Sequence, residues 1–464
     1  MFVGRARELD KMNQLYQKND FQFAVFYGRR RVGKTTLIQE FIKNKNAIYY
    51  MAVEGTQAEN LLGLSKAVLG APISGTAPSF SSFQQLFDHI DTHLCEDRNI
   101  LVIDEYPYLA ASYPAVSSLL QQHIDQCWKN SPLFLILCGS SMSFMEHQVL
   151  GYKSPFYGRR TAQFKIHPFT YFEAEQMLLD YTKEERVLLY GVTDGIPEYL
   201  SRLDKNLSAD ENILDLFFQE SGRLFEEPGN LLKQELKSPA SYHSIITAIA
   251  GGASRMNEIA TKTGLESSGC SAQLISLIEL GIVKKEYPVT ESENSRRTIY
   301  HIEDDMFRFW YRFVRPNGSG IVQNLGKTIY EMYVKPQLND FLAATFEKIC
   351  RQYLYRPEIF TSLRIPCGNY GRWWGSNPLK KTQEEIDIMG LSSDITCAGA
   401  FFAECKWRNE SVDVDIILKL MERGEFFSYA DKEYAVFAKN GFTQTALAYA
   451  EEHKVHLYNF SEWK

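Results

Sequence analysis

Gly28-Arg29-Arg30-Arg31-Val32-Gly33-Lys34-Thr35-Thr36 is the stretch that decides how this chain folds. It has the form G-x-x-x-x-G-K-T. An apolar run, Phe23-Ala24-Val25-Phe26-Tyr27, precedes it, and a helical pattern with Leu37, Ile38, Phe41 and Ile42 follows. Strand, glycine turn and helix are the setting in which backbone N–H groups curl around an anion. Glycine supplies the positive φ that the curl needs, and the helix N-terminus adds its positive end. Lys34 would reach the β- and γ-phosphates, and the Thr35 hydroxyl would bind Mg²⁺. The stretch predicts ATP binding, with residues 28 to 36 as the phosphate cradle.

Such a site needs an apolar strand ending in acid. Asn99-Ile100-Leu101-Val102-Ile103-Asp104-Glu105 supplies one. Its four consecutive apolar residues suit a parallel strand buried on both faces. Asp104 is placed to hold Mg²⁺, through water, and Glu105 to polarise the attacking water. A third strand follows, Leu133-Phe134-Leu135-Ile136-Leu137-Cys138-Gly139-Ser140-Ser141. A polar residue at its tip, Ser140 or else Ser141, can touch the γ-phosphate or the attacking water. Next comes Ser154-Pro155-Phe156-Tyr157-Gly158-Arg159-Arg160. Arg159 or Arg160 can stabilise charge on the transferring phosphoryl group, in their own chain or in a neighbouring subunit of a homo-oligomer. The other reading is a surface turn with two solvated arginines.

At 464 residues more than one domain is expected. The formal charge of −7 argues against binding DNA over the whole surface, though a local basic cleft remains open. The eight cysteines (Cys95, Cys127, Cys138, Cys270, Cys350, Cys367, Cys397, Cys405) form no C-x-x-C pair. They predict reduced, mostly buried thiols rather than a zinc site. Met1-Phe2-Val3-Gly4-Arg5 does not read as a signal peptide, and no apolar stretch approaches a membrane span. A cytoplasmic protein without membrane partners is expected.

These residues resemble the archaeal-type ATPases of the AAA+/STAND group. The resemblance rests on Phe2-Val3-Gly4-Arg5-x-x-Glu8-Leu9, the glycine loop, Ile103-Asp104-Glu105, Cys138-Gly139-Ser140-Ser141 and Gly195-Ile196-Pro197-Glu198-Tyr199-Leu200. It implies that Pro197 packs against the adenine and couples nucleotide state to lid helices. Read without the resemblance, Pro197 is a proline in the first turn of a helix.

Further along, Tyr242–Ala250, a segment opening at Met256 and stopped near Gly264, and Ser267–Leu280 read as three amphipathic helices. Residues 282–287 and 298–302 read as a hairpin. Together they make a winged helix. The third helix carries no Lys or Arg, and only the wing is basic, at Lys284, Lys285, Arg296 and Arg297. A packing or lid role is therefore favoured over sequence-specific DNA reading.

The last third carries Glu385-Ile386-Asp387-Ile388-Met389, then Phe401-Phe402-Ala403-Glu404-Cys405-Lys406-Trp407. Strand period two puts Glu404 and Lys406 on one face. Asp387 and Glu404 can hold a divalent metal, Mg²⁺ or Mn²⁺, and Lys406 can orient or activate water. Glu347, in an earlier amphipathic helix, can complete the metal shell. The set resembles the D…E-x-K core of restriction-endonuclease-like nucleases. The linker and this module together resemble the C-terminal domain fused to these archaeal-type ATPases. Arg372-Trp373-Trp374, with Lys380 and Lys381, is a candidate DNA or RNA contact, or a tryptophan pair covering the core edge.

The expected architecture is α/β and multi-domain. A P-loop parallel sheet with helical lid fills residues 1–225, a linker and winged helix 226–315, and a restriction-endonuclease-like α/β domain 320–464. The expected function is Mg²⁺-dependent ATP hydrolysis coupled to a nuclease-like domain acting on or binding nucleic acid. The alternative is a STAND-like switch whose last domain is an inactive interaction module.

Overall fold

The computed structural model describes residues 2–71, 78–377, 380–392 and 399–463. Cys397 lies outside them. The chain divides into two compact units. The first comprises Met1–Phe169 with Ile196–Ser201, and the second Thr170–Gly195 with Arg202–Lys464.

The first unit is built on five parallel strands: β1 (Gln22–Tyr27), β2 (Ala47–Met51), β3 (Ile100–Asp104), β4 (Phe134–Gly139) and β5 (Ala162–Lys165). Their order is β2-β3-β4-β1-β5. Every residue of β1, β3 and β4 is buried, as their unbroken apolar runs require of strands covered on both faces. The loop after β1 therefore emerges from inside the sheet, between β4 and β5, at the C-terminal ends of its strands. Ligands of open parallel sheets collect at that edge.

The second unit begins with helices, among them Lys183–Thr193 and Ala209–Phe217. The helices expected to form an ATPase lid thus cluster with the chain that follows them, and the division falls at Phe169 rather than near residue 225. The reason is packing. A Cβ on Gly191 would stand 2.9 Å from Leu342 Cδ2, so that helix lies directly on Leu338–Leu354. Lys348 reaches back from the same helix to Asp194 Oδ1 at 2.6 Å.

Helices Pro239–Ala250, Met256–Thr263 and Ser267–Glu279 come next, then an antiparallel pair, β6 (Val283–Glu286) and β7 (Ile299–Ile302). Gly264 ends the second helix at φ 69°. The last five strands are β8 (Tyr370–Ser376), β9 (Gln383–Leu391), β10 (Gly399–Lys406), β11 (Asp431–Ala438) and β12 (His456–Asn459). They form a mixed sheet in the order β12-β11-β10-β9-β8. The β10, β11 and β12 ladder is parallel, and β9 is antiparallel to both neighbours. Phe402, Tyr434 and Val436 meet Ile417 and Leu420 of helix Val414–Gly424 in its core. The segment between β6 and β7 covers the outer edge of β8. Val289 N donates to Arg372 O at 3.0 Å, and Arg297 Nη1 to Trp374 O at 2.8 Å. A Cβ on Gly375 would lie 2.6 Å from Arg297 Nη1, so glycine permits the approach.

No helix among the described residues is long and apolar enough to cross a membrane. Cys138, Cys270, Cys350, Cys367 and Cys405 are buried free thiols, whereas Cys127 is exposed.

Candidate functional site

At the end of β1 the backbone takes the conformations that a phosphate cradle needs. Gly28 has φ 150°, Arg31 φ 70° and Gly33 φ 89°. A Cβ on Gly28 would stand 2.3 Å from Ile166 O, which leaves room for glycine alone. Helix Lys34–Ile42 starts at once, and among the described residues no side chain caps it. Its first N–H groups are thus left for an anion. Lys34 is buried and its Nζ donates to Gly28 O (2.8 Å) and Arg29 O (2.9 Å), holding the ammonium against the loop.

The rest of the loop is braced. Arg29 is buried. Arg30 donates to the Tyr108 hydroxyl at 3.2 Å, and Arg31 to that of Tyr199 at 3.4 Å. Val32 O accepts from buried Arg5 at 3.0 Å, which ties the N-terminal box to the loop. Thr36 is exposed on the first helical turn. Pro197 opens helix Pro197–Leu200, and its Cγ lies 3.8 Å from where a Gly33 Cβ would stand. It is a first-turn proline and also a neighbour of the loop.

Beside the loop, buried Asp104 gathers three donors. Oδ2 accepts from the Thr35 and Tyr49 hydroxyls, each at 2.7 Å, and Oδ1 from Glu105 N at 2.8 Å. These hard oxygens suit Mg²⁺. Tyr49 was not legible in sequence. It reaches Asp104 because β2 pairs with β3, and burial followed by the Asp104 charge pushes its hydroxyl pKa up. Glu105 sits at φ 48°, a left-handed conformation that costs energy in a non-glycine residue and clusters at functional sites. Ser140 Oγ donates to its Oε1 (2.6 Å) and Oε2 (2.9 Å). Of the two serines at the tip of β4, Ser140 is the one that meets the acid.

Arg159 and Arg160 do not join this constellation within the chain. Parallel pairing sets Ala162 beside Ala24 and Lys165 beside Tyr27. The two arginines precede β5 and so lie at the N-terminal edge of the sheet, about 20 Å from Gly28 at 3.3 Å per residue. Arg159 makes a two-point ion pair with Asp125 at 2.8 and 2.6 Å, and Arg160 donates to Gln163 and Leu150 O.

In the C-terminal sheet, Asp387, Glu404 and Lys406 gather at one end. Lys406 Nζ lies 2.6 Å from Glu404 Oε1, as period two anticipates. Asp387 Oδ2 accepts from Cys405 N at 2.8 Å. The β9–β10 ladder, in register through Ile388 and Ala403, sets it beside that stretch of β10, while the β8–β9 register shifts between Gly371 and Trp373 on the other side of β9. Burial, then the Glu404 and Glu347 charges, raise the Asp387 carboxyl to about 8. A divalent cation held by Asp387 and Glu404 would take the place of the Asp387 proton and share Glu404 with Lys406. Glu347 is the outlier. Its carboxylate lies 3.9 Å from Arg372 Nε, and burial raises its pKa. Among the described residues the three carboxylates do not all come within 4.8 Å of one another. Arg423, unsuspected from sequence, reaches Glu404 and Glu384 at 3.1 Å each.

The expected nucleic-acid contact at Arg372-Trp373-Trp374 is largely absorbed by the protein. Trp373 is 6% exposed and belongs to the core. Trp374 donates to Arg297 O at 3.2 Å, and Arg372 pairs with Glu385. Lys380 pairs with Glu422 at 2.7 Å.

Two family models match the chain. Residues 2–203 match an ATPase domain predominantly from Archaea, and residues 310–417 match a family described as archaeal and bacterial proteins of unknown function. An uncharacterized protein of Methanocaldococcus jannaschii is 32% identical over 452 residues, covering 95% of this chain and 96% of that one. An uncharacterized ATP-binding protein of the same organism is 47% identical over 45 residues, 10% of this chain and 76% of the other. Among solved structures, a Walker-type ATPase of Pyrococcus abyssi aligns with a TM-score of 0.51 at 19% identity, covering 67% of this chain and 96% of that one. That likeness is one of fold. Identity of 32% sustained over nearly the whole length of both proteins means that the chain belongs to the family of the longer Methanocaldococcus protein, with an archaeal ATPase domain at residues 2–203.

Proposed function

We propose that the chain binds ATP with Mg²⁺ and hydrolyses it, and that this cycle is coupled to a C-terminal nuclease-like domain that acts on or binds nucleic acid. The observation that carries the first half is the continuous set Thr35–Asp104–Glu105–Ser140, joined by hydrogen bonds and adjoining the cradle. Thr35 and Asp104 would hold Mg²⁺, which when bound neutralises phosphate charge. Glu105 takes a proton from water. Ser140 aligns the Glu105 carboxylate, and Lys34 faces the phosphates. Residues 170–225 serve as the helical lid, with Pro197 against the base. The helices and hairpin of residues 226–315 serve as a winged helix in a packing role, consistent with Lys285 and Arg297 being engaged within the chain.

Lys34→Ala is the test. Losing a charge-assisted contact worth about 1.5–3 kcal/mol should weaken ATP binding at least about tenfold. Titration calorimetry giving the wild-type affinity would remove the P-loop assignment.

Arg159 and Arg160 act, in this reading, on the nucleotide of a neighbouring subunit, since their own cradle is at the far end of the sheet. The double alanine variant should lose ATPase activity that rises with protein concentration in the wild type. Normal rates at every concentration would make the pair a solvated turn.

For residues 320–464 the D…E-x-K arrangement supports a metal site at Asp387 and Glu404 with Lys406 at the water. One observation favours the STAND-like switch instead. Glu404 is already paired with two cations, Lys406 and Arg423, as a carboxylate retired from catalysis would be.

A further inference from the structure

A cavity of about 340 Å³ opens in the second unit. Its walls are the end of helix Pro239–Ala250, strand β7, helix Asp305–Phe309, one face of helix Leu338–Leu354 and Arg372 of β8. Ala344, Glu347, Lys348 and Arg351 recur at helical spacing and line it together, so the last helix turns a polar stripe inward.

Four polar atoms of its lining are buried without a hydrogen-bond partner: His301 Nδ1, Asp305 Oδ2, Arg351 Nη1 and Arg372 Nε. Three of them have an ionisable neighbour near but beyond bonding geometry. His301 Nδ1 is 3.6 Å from Glu286 Oε2, Asp305 Oδ2 is 3.5 Å from Lys348 Nζ, and Arg372 Nε is 3.9 Å from Glu347 Oε2. Leaving such a group unmet costs free energy. Such groups are rare, and several around one cavity call for an occupant. The volume lies in the range of small-molecule sites.

The unmet groups describe that occupant. Two guanidinium N–H groups want an anion. Asp305 is 3% exposed, and its free oxygen wants a donor. Tyr300 adds an aromatic side chain to the wall. Most of the lining's cations already pair with carboxylates, among them Arg312 with Asp340 and Lys348 with Asp194, so the call for an anion comes from the two unmet guanidinium N–H groups themselves. Inorganic phosphate answers the guanidiniums alone. A nucleotide supplies the phosphate, an exocyclic base amine and a planar ring.

We propose that this cavity is a second nucleotide site, taking one nucleotide unit with its phosphate on Arg351 and Arg372 and its base amine on Asp305. It is lined by none of the P-loop residues and does not depend on whether the C-terminal sheet cleaves nucleic acid. The occupant is a free nucleoside monophosphate or the end of a nucleic-acid strand.

The test uses the full chain carrying Lys34→Ala, so that the P-loop contributes little. Calorimetry with AMP, CMP, GMP and UMP, inorganic phosphate and short single-stranded oligonucleotides reads binding. At least one amine-bearing monophosphate or oligonucleotide should bind, UMP and phosphate more weakly. Tighter binding of the oligonucleotide identifies a strand end, and of the monophosphate a free nucleotide. Adding Arg351→Gln should weaken binding at least tenfold. Ala344→Leu, which fills the cavity without touching a charge, should do the same. Absence of binding by every probe would overturn the proposal. So would affinity unchanged in Ala344→Leu with its melting temperature intact, or phosphate binding as tightly as the best nucleotide.

Discussion

Glu105→Gln is expected to leave ATP affinity near that of the wild type and to slow hydrolysis by about 10²–10⁴-fold, the usual worth of a positioned general base. The amide can still accept from Ser140 and occupy the same left-handed backbone, so the cradle and the Asp104 contacts are undisturbed. What it cannot do is take a proton from water. Binding calorimetry and single-turnover phosphate release should therefore separate, the first unchanged and the second collapsed. Wild-type turnover in this variant would move the base elsewhere.

The second large effect is expected at Asp387. Its carboxyl titrates at about 8 in the folded chain, against 3.8 for the free side chain. Between those values the folded state holds a proton that the unfolded state has released. The stability contributed by this group is thus fully present below pH 3.8 and is lost as pH rises through about 8. Above that, ionised Asp387 faces Glu404, and a divalent cation relieves both. With no nucleotide present, Mg²⁺ or Mn²⁺ at a hundred times its Kd should add about 2.7 kcal/mol, a rise in Tm of roughly 5–10 °C. Asp387→Asn should flatten the pH dependence and abolish the metal effect together. Equal metal stabilisation in wild type and variant would place the ion elsewhere and leave the domain a binding module.

The parts of the site that were legible in sequence are those made by neighbours in the chain. Lys34 and Thr35 follow the glycine loop directly, Glu105 follows Asp104, and Lys406 is one strand period from Glu404. The three helices at residues 239–279 and the pair β6–β7 also announced themselves, through apolar periodicity and the glycines at 251, 252 and 264. Contacts that depend on strand order did not. Tyr49 meets Asp104 across 55 positions because β2 is the neighbour of β3. Arg159 and Arg160 follow β4 in sequence, yet the chain must return to the opposite end before β5 can run parallel to β1. The contact of Asp387 with Cys405 depends on the β9–β10 register, which no composition announces, and Arg423 arrives from a helix still further along.

The cover over β8 bears on what the edge of the C-terminal sheet can pair with. β8 ends the C-terminal sheet, and an uncovered outermost strand offers its backbone to any other extended chain, inviting aggregation. The segment between β6 and β7 occupies that strand through Val289 and Arg297. The pairing groups that would recruit a stranger are already spent on the molecule's own middle region. The C-terminal sheet is therefore not a part that can be cut free at residue 320 without baring a sticky edge, and the hairpin ahead of it doubles as a built-in guard against fibre-like stacking.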